Sequence, residues 1–581
     1  MLGSTRTTDN LSLNSLGNNR NYFNMNNLFL VTISTLVCLS AFVVNAFEKS
    51  DNFNEAYFSF DVDKIKSHIK TLASDEFGGR EPSTVGEQLT TNLLVTEFKN
   101  LGLTPGNVDS YLQAVPMVSI TSTPQTSLQI ADIDFDYPKN FVANSRKTEP
   151  DLSLKNSALV FVGYGINAPE YQWNDYQGVN VKGKTVVILV NDPGYARQDP
   201  KLFNGNTMTY YGRWIYKYEE AARQGAVGAI IVHETKPASY GWNVIESSWT
   251  GAQYHLPVKE VNESAIDVEM WISYQKAKEL LKKAGYDFEL LKQQAAYRDF
   301  KAFPLNLTAS IKVKNAIVES TSNNVIATIE GSNISDEHVV YIAHWDHLGS
   351  TIIEGKKEIY NGAHDNATGT AGLIHIAKAF KTLNTPPDRS ITFIAVTAEE
   401  QGRLGSRYYV NHPTIPLNKI IGLVNMDSLD IGGLKKDITV VGFGKSQLED
   451  YLAIAAKRQN RILTPEQTPE RGYYYRSDHF SLAKKGVPAL SAGGGSILLN
   501  DEQIRIDQKV KALIAKCYHQ TCDEYNKDWS FGSMVAELQL FFELGYLLGN
   551  PNGTSEPNSL PKYPNWREGT EFKKIRDKMM R

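Results

Sequence analysis

The sequence predicts an α/β protein, with a mixed, mostly parallel sheet flanked by helices and a β-rich insertion. Two observations support this class. From residue 304 onward, apolar runs typical of buried strands alternate with helical patterns, which indicates parallel strands joined by crossover helices. Residues 157–300 carry strand-like runs of their own and interrupt that alternation. We therefore expect one α/β domain built from two separated parts of the chain.

The composition is that of a globular protein with more than one domain. The chain has 581 residues, of which 41% are hydrophobic and 21% are charged, and this balance allows substantial buried cores. The net charge is −4 and no basic patch occurs. The sequence therefore predicts no nucleic-acid partner.

The N-terminal segment, residues 1–46, is expected to be a signal peptide or a membrane anchor. Residues 28–46 are uncharged and largely apolar, and their length suits either role. The small residues at 44–46 favour a cleaved export signal, which predicts a periplasmic or extracellular protein. A retained segment would instead hold the protein at a membrane.

Helical and strand-like patterns define the rest of the chain. Helical spacing of apolar residues covers 62–74 and 86–102, with a turn at 78–82 between them. Further on, strands are predicted at 324–330, 338–343, 391–397 and 420–425, and helices at 369–383, 400–411 and 446–458. The predicted segments are 57–135 and 304–550 for the main domain, 136–303 for the insertion and 551–581 for a loose, polar tail.

Side chains of metal-binding type follow the predicted strands. His344 and Asp346 end one strand, Glu399 and Glu400 follow the next, and Asp427 follows a third. In open α/β sheets, ligands bind outside the carboxyl ends of the strands. Two further positions lie in loops: Asp365, just before a helix, and His519, between two cysteines.

The residue types of this set suit zinc. Two histidines and three acids, one of them shared, make two sites with three protein ligands each, and catalytic zinc keeps an open position for water. Paired metals act together on the attacking and leaving oxygens. A glutamate beside a ligand glutamate provides a general base, so Glu399 and Glu400 are expected to have different roles.

With these motifs in place, the chain resembles metallopeptidase family 28, the co-catalytic di-zinc aminopeptidases. The resemblance covers residues 57–130 and 304–550, and the insertion resembles a protease-associated domain. It implies a fold of the zinc-dependent exopeptidase type. It also implies two zinc ions per chain and peptide substrates.

The resemblance assigns the metal ligands residue by residue. His344, Asp365 and Asp427 would hold one zinc ion. Asp365, as the bridging ligand, would hold the other with Glu400 and His519. His364 departs from the family pattern, because many members have aspartate at this position. That position is not the bridging ligand, so the metal site is expected to survive the change.

The resemblance also implies roles for the neighbouring residues. Glu399 would be the general base, and Asp346 would hydrogen-bond His344 and fix its tautomer. Tyr518 would stabilise the oxyanion that forms during hydrolysis. Cys517 and Cys522 match a disulfide of some family members. Their spacing in an exported protein also predicts a pair, with two free buried thiols as the alternative.

The substrate side is predicted from the segment 474–480, which resembles the family's Ser-Asp-His loop. Arg476, Asp478 and His479 are the candidate substrate-binding residues. The leading expectation is an aminopeptidase. A carboxypeptidase or dipeptidase on the same metals is the alternative, with Arg476 as the cation for a C-terminal carboxylate. A receptor-like protein without catalysis would lack metal ligands, and the sequence retains all five.

Overall fold

In the computed structural model, a sheet of 16 strands runs through the protein. The structure describes residues 52–261, 264–551 and 560–581. Residues 52–581 fall within one compact unit. The predicted signal peptide or anchor at 1–46 lies outside the described residues.

The strands of the described residues are numbered in chain order. They are β1 Thr104–Pro105, β2 Leu112–Pro124, β3 Gln129–Ile130, β4 Phe141–Asn144, β5 Asp151–Phe161, β6 Asn167–Ala168, β7 Trp173–Asn174, β8 Thr185–Leu189, β9 Gly228–His233, β10 Ala252–His255, β11 Val268–Ser273, β12 Phe303–Ile329, β13 Ile334–His344, β14 Ser350–Ile353, β15 Lys356–Ile359, β16 Arg389–Val396, β17 Ile420–Asn425, β18 Asp437–Val441, β19 Ile462–Pro465 and β20 Ala489–Gly493.

The α-helices of the same residues are numbered likewise. They are α1 Phe53–Tyr57, α2 Val62–Leu72, α3 Val85–Asn100, α4 Pro193–Arg197, α5 Trp214–Arg223, α6 Thr235–Ala238, α7 Trp242–Ser248, α8 Val258–Val261, α9 Tyr274–Lys283, α10 Phe288–Ala295, α11 Thr368–Thr382, α12 Leu404–Asn411, α13 Leu448–Arg458, α14 His479–Ala483, α15 Asp501–Cys517, α16 Phe531–Gly549 and α17 Lys573–Met579.

The half of the sheet that carries the predicted ligands has the order β19-β18-β20-β17-β13-β16-β12. Strands β20, β17, β13 and β16 are parallel to one another. Every residue of β16 and β17 is buried, as expected for parallel strands covered on both faces. The predicted α/β class with a mostly parallel sheet is confirmed, and the predicted strand at 420–425 has the observed bounds.

Helix α16 is long and apolar enough to cross a membrane by length and composition. About 72% of its apolar window is buried inside the protein. Its apolar residues face all directions, as in helices enclosed by a core. Residues Leu538, Phe542 and Leu548 are fully buried in the cluster beneath β13 and β16. We therefore assign α16 to the core.

The segment 136–303 was expected to be β-rich, but it contains both strands and helices. Its strands β5, β8, β9 and β11 lie side by side and are parallel. Parallel neighbours need crossover connections, usually helices. Helices α4 and α5 lie between β8 and β9, and α6, α7 and α8 lie between β9 and β11. The assignment of this segment to a protease-associated domain stays a prediction.

Strand β12 joins the two halves of the sheet. Its first part, from Phe303 to Lys314, pairs with β5. Its middle pairs with β2 over 13 residue pairs, and its end, Val325–Ile329, pairs with β16. The sequence predicted a strand only at 324–330, because polar residues on both faces of the middle part of β12 obscure the strand pattern.

The tail is not loose in its described part, residues 560–581. Trp566 is 1% exposed, and its indole Nε1 donates a hydrogen bond to Gly486 O at 3.0 Å. The Trp566 ring also packs on Phe572, with 4.9 Å between ring centroids. The prediction failed because it relied on the polar composition of the segment, in which two buried aromatic residues are a weak signal.

Replacing Trp566 by alanine is therefore expected to lower the free energy of unfolding by about 3 kcal/mol, the usual cost of deleting a buried aromatic ring. Urea denaturation of the full chain measures this value. Met580→Ala, at a side chain that is 44% exposed, is the control and should change it by less than about 0.5 kcal/mol. Equal stability of both variants would show that the tail does not pack as described.

Candidate metal centre

The predicted ligands meet at the carboxyl edge of the parallel strands. His344 is the last residue of β13, and Asp427 follows β17 after one intervening residue. Glu399 and Glu400 come shortly after β16. Parallel strands deliver their carboxyl ends to one edge, and this placement explains how residues distant in the sequence reach one site.

Asp365 lies between two groups of ligands. Its Oδ1 is 3.3 Å from His344 Nε2, and its Oδ2 is 3.2 Å from His519 Nε2. His344 Nε2 is also 3.3 Å from Asp427 Oδ1, and His519 Nε2 is 3.2 Å from Glu400 Oε2. The two oxygens of Asp365 thus face two separate pairs, each made of one histidine and one carboxylate.

These separations fit metal coordination. Zinc binds nitrogen and oxygen at about 2.0–2.2 Å in tetrahedral sites, so two ligand atoms of one ion lie about 3.3–3.5 Å apart. The four distances match that spacing. Ligand atoms of His344, Asp365 and Glu400 all lie within 4.8 Å of one another. These residues therefore fit metal coordination, with Asp365 facing both pairs.

Close backbone packing places Asp365 at this position. Asn366 donates from Nδ2 to Met426 O at 3.0 Å, and its Oδ1 accepts from Gly369 N at 2.9 Å. A Cβ on Gly369 would lie 2.3 Å from Met426 O. Glycine is therefore required at this contact, and the contact ties the start of α11 to the end of β17.

The orientation of His344 comes from a backbone group. Its Nδ1 lies 3.2 Å from the carbonyl oxygen of Asp346 and 3.8 Å from the Asp346 carboxylate. A proton on Nδ1 leaves Nε2 free to bind metal. The prediction that the Asp346 carboxylate hydrogen-bonds His344 is corrected: the carboxylate accepts from Glu399 N at 3.0 Å and Glu400 N at 3.3 Å.

Two residues outside the predicted ligand set orient the ligands. His347 Nδ1 is 2.7 Å from Glu400 Oε1, so it fixes the carboxylate whose other oxygen faces His519. Asp523 accepts from the backbone N–H of Asp365 at 3.1 Å. Asp523 lies four residues after His519. This proximity to a predicted ligand is the sequence feature that could have identified it.

Glu399 is the predicted general base beside the ligands. Its backbone is fixed by Asp346. Burial raises the pKa of Glu399 well above its ordinary value, and the charges of Asp478 and Asp427 add to the increase, while His344 opposes it. A carboxyl group with a raised pKa can accept a proton and hold it near neutral pH.

The part of the chain that carries these residues matches a known family. Residues 324–542 match the family model described as peptidase family M28. This match includes all five predicted ligands, and the geometry of the site agrees with it.

Residues 324–542 belong to peptidase family M28.

Curated proteins are similar to parts of this chain. Aminopeptidase YwaD of Bacillus subtilis is 36% identical over 115 residues, which are 20% of this chain and 23% of the relative. A probable zinc metalloprotease of Pyricularia oryzae is 30% identical over 105 residues, 18% of this chain and 20% of the relative. The chain thus spans less than a quarter of the length of these two curated relatives.

Among solved structures, an aminopeptidase from Aneurinibacillus sp. strain AM-1 is similar to this chain. The sequence identity is 19% and the TM-score is 0.47. The match covers 86% of this chain and 97% of that structure.

Arg80 lies outside the M28 segment but supports its site. Its side chain is fully buried. Nε donates to Trp345 O at 2.9 Å, and Nη2 donates to Gly362 O at 2.8 Å. Nη1 donates to the carbonyls of Asn361 and Leu72, at 2.6 and 2.8 Å. Arg80 thus joins the loop after His344 to the loop before Asp365.

Arg80 also supplies a buried positive charge behind the M28 acids. Burial lowers the pKa of Arg80 to about 10, and the charges of Asp523, Asp346 and Asp365 oppose that decrease. At neutral pH the guanidinium remains charged. It therefore partly offsets the repulsion among the carboxylates of the site.

Of the predicted substrate-binding residues, Asp478 lies beside the predicted ligands, where its charge interacts with Glu399, His344 and Asp427. Asp478 and His479 are fully buried. His479 packs on Tyr474, with 4.7 Å between ring centroids. Arg476 is exposed, but its Nη2 donates to Arg471 O at 2.9 Å and its guanidinium lies over the Tyr473 ring. Direct contact of Asp478 and His479 with a substrate stays a prediction.

The last ligand lies in a loop closed by a disulfide. Cys517 and Cys522 are bonded, with 5.1 Å between their Cα atoms. His519, inside this loop, has a left-handed backbone with φ of 56°. The Tyr518 ring stacks on the His519 ring at 3.9 Å, and its side chain is exposed beside the site.

Proposed function

We propose that this protein is a zinc-dependent aminopeptidase that releases N-terminal amino acids from peptides. The observation that carries the proposal is Asp365, whose two oxygens face two separate pairs of histidine and carboxylate. Membership of the M28 segment in a peptidase family and the names of its relatives support peptide substrates and zinc.

The proposed site holds two zinc ions per chain. His344, Asp365 and Asp427 would bind one ion, and Asp365, Glu400 and His519 would bind the other. When bound, such ions lower the pKa of water and polarise the carbonyl group that is attacked.

Side chains of the protein then transfer the protons and stabilise the developing negative charge. Glu399 accepts a proton from the attacking water and later returns it to the leaving amine. The Tyr518 hydroxyl donates a hydrogen bond to the oxyanion. The cluster of acids around Glu399 favours binding of the positively charged N-terminus of a peptide.

Metal content tests the bridging role of Asp365. We expect two zinc ions per purified wild-type chain, about one in Asp427→Ala and fewer than one in Asp365→Ala, because Asp365 would serve both sites. Inductively coupled plasma mass spectrometry measures these ratios. Glu354→Ala, at an exposed position on the β14–β15 turn, should retain both ions. Equal losses in Asp427→Ala and Asp365→Ala would contradict the shared ligand.

A substrate panel tests the aminopeptidase activity. Leucine p-nitroanilide should be hydrolysed, and its N-acetylated form should not, because acetylation removes the ammonium group that the acids attract. Turnover is followed at saturating zinc and again with a chelator, which should abolish it. Preferential cleavage of N-acetylated peptides at their C-terminus would support a carboxypeptidase instead. The contacts of Arg476 with Arg471 and Tyr473 give that alternative no support.

We also propose that the protein is exported to the periplasm or the extracellular space. The uncharged segment 28–46 and the Cys517–Cys522 disulfide support this location, since disulfides persist in oxidising compartments. Cleavage of the segment would release the protein, and retention would anchor it to a membrane.

A further inference from the structure

A second cavity lies in the segment 136–303, at the carboxyl edge of β5, β8, β9 and β11. Its volume is about 510 Å³, within the range of small-molecule sites. Tyr164, Val190, Glu234 and Tyr274 line it, and each follows one of these four parallel strands. Ligands of α/β sheets bind at this edge. The residues that line this cavity do not include any proposed metal ligand.

A buried lysine fixes the floor of the cavity. Lys217 is fully buried, and its Nζ donates to Tyr164 O at 2.6 Å and to Asn191 O at 2.8 Å. These two carbonyls belong to the loops after β5 and β8. The carboxyl groups of Asp175 and Asp192 lie near Lys217 and balance its charge. The cavity is thus formed before a ligand enters, which lowers the ordering cost of binding.

The charged side chains around the cavity favour a carboxylate. Glu234 forms an ion pair with Lys292. Lys236 also lines the cavity, and its ammonium group has no ion pair or hydrogen bond among the described residues. Two lysines and one glutamate leave a charge of +1 on the lining. A ligand with a carboxylate near Lys236 would complete this arrangement, and Glu234 is placed to accept an ammonium group.

Three tyrosines, Tyr164, Tyr195 and Tyr274, also line the cavity. The other uncharged lining residues are Val190, Ala196, Gln198, His233, Thr235 and Pro237. The Tyr274 hydroxyl donates to Glu289 Oε1 at 2.5 Å, which fixes the direction of that ring. Rings of this kind pack well against aromatic or large aliphatic side chains. The cavity therefore combines a carboxylate site, an ammonium site and an apolar wall.

We propose that this cavity binds a free α-amino acid with an aromatic or large aliphatic side chain. The carboxylate contacts Lys236, the ammonium contacts Glu234, and the side chain packs among the three tyrosines. Amino acids of this class are also what the proposed reaction releases. That link alone rests on the proposed function, and the binding itself does not.

Calorimetry with L-phenylalanine tests the proposal on the full, metal-loaded chain. Lys236→Met removes the ammonium group but keeps the length of the side chain, and it should weaken binding by about tenfold or more, the value of a charged hydrogen bond. Lys201→Met is the matched control, because Lys201 is an exposed lysine of the same segment that does not line the cavity. It should change the dissociation constant less than about twofold.

Two analogues test the recognised groups on the wild-type chain. Phenethylamine lacks the carboxylate and 3-phenylpropionate lacks the ammonium, and each should bind at least about tenfold more weakly than phenylalanine. Equal affinity of Lys236→Met and wild type would overturn the proposal, as would undetectable binding of phenylalanine. None of these ligands contains a peptide bond, so this result is independent of whether the protein hydrolyses peptides.

Discussion

Replacing Glu399 by glutamine is expected to lower kcat for an aminoacyl substrate by about 10²–10⁴-fold, the usual contribution of a general base. Glutamine has nearly the same shape, but its amide does not accept a proton from water. The bound zinc should remain at the wild-type level, since Glu399 is not one of the proposed ligands. Steady-state kinetics and metal analysis of the same preparation measure both quantities.

Two variants separate this effect from general damage. Glu400→Gln should lower both the zinc content and kcat, because Glu400 faces His519 in the proposed second site. Glu354→Gln, at an exposed position, should change neither. Hydrolysis at the wild-type rate by Glu399→Gln would exclude Glu399 as the base. Loss of zinc from that variant would assign Glu399 to the ligands.

Replacing Arg80 by methionine is expected to lower the free energy of unfolding by about 4 kcal/mol. Methionine keeps the apolar stem but leaves four main-chain carbonyls without their donor, at about 1 kcal/mol or more for each buried group. Zinc affinity should fall as well, because the loops that hold His344 and Asp365 lose their common partner. Urea denaturation and zinc titration measure the two effects.

Arg80→Lys distinguishes the charge from the hydrogen bonds. Lysine keeps the positive charge, but its single ammonium does not reproduce the fork of the guanidinium. We expect a stability between that of the wild type and Arg80→Met. A change of less than about 1 kcal/mol in Arg80→Met would show that the four carbonyls find other partners.

The half of the fold that carries the predicted ligands was predictable because local pattern determines it. The runs at 338–343, 391–397 and 420–425 are apolar and short, and they are buried parallel strands in the structure. In open α/β sheets, ligands bind outside the carboxyl ends of the strands. The positions of His344, Glu400 and Asp427 follow from this rule, without knowledge of tertiary contacts. Asp365 and His519 lie in loops, and their place in the site was implied by the family resemblance.

The parts that sequence did not predict depend on distant partners. Arg80 lies in a predicted turn, and it contacts Trp345, 265 residues away along the chain. The carboxylate of Asp346 was expected to bind His344, but the geometry of the turn at 398–400 places two backbone N–H groups closer to it. Such choices between alternative hydrogen-bond partners are decided by differences of a few tenths of an ångström.

The continuity of β12 has a consequence for any attempt to shorten this protein. At its C-terminal end, the segment 136–303 has no flexible linker, because β12 continues directly into the sheet that carries the predicted metal ligands. Deleting the segment would remove β5, the strand that pairs with the first part of β12. It would expose Leu305, Ile311 and Val313, which are now buried. An unpaired apolar edge of this kind promotes aggregation, so a shortened protein would need a new strand or a charged edge at this position.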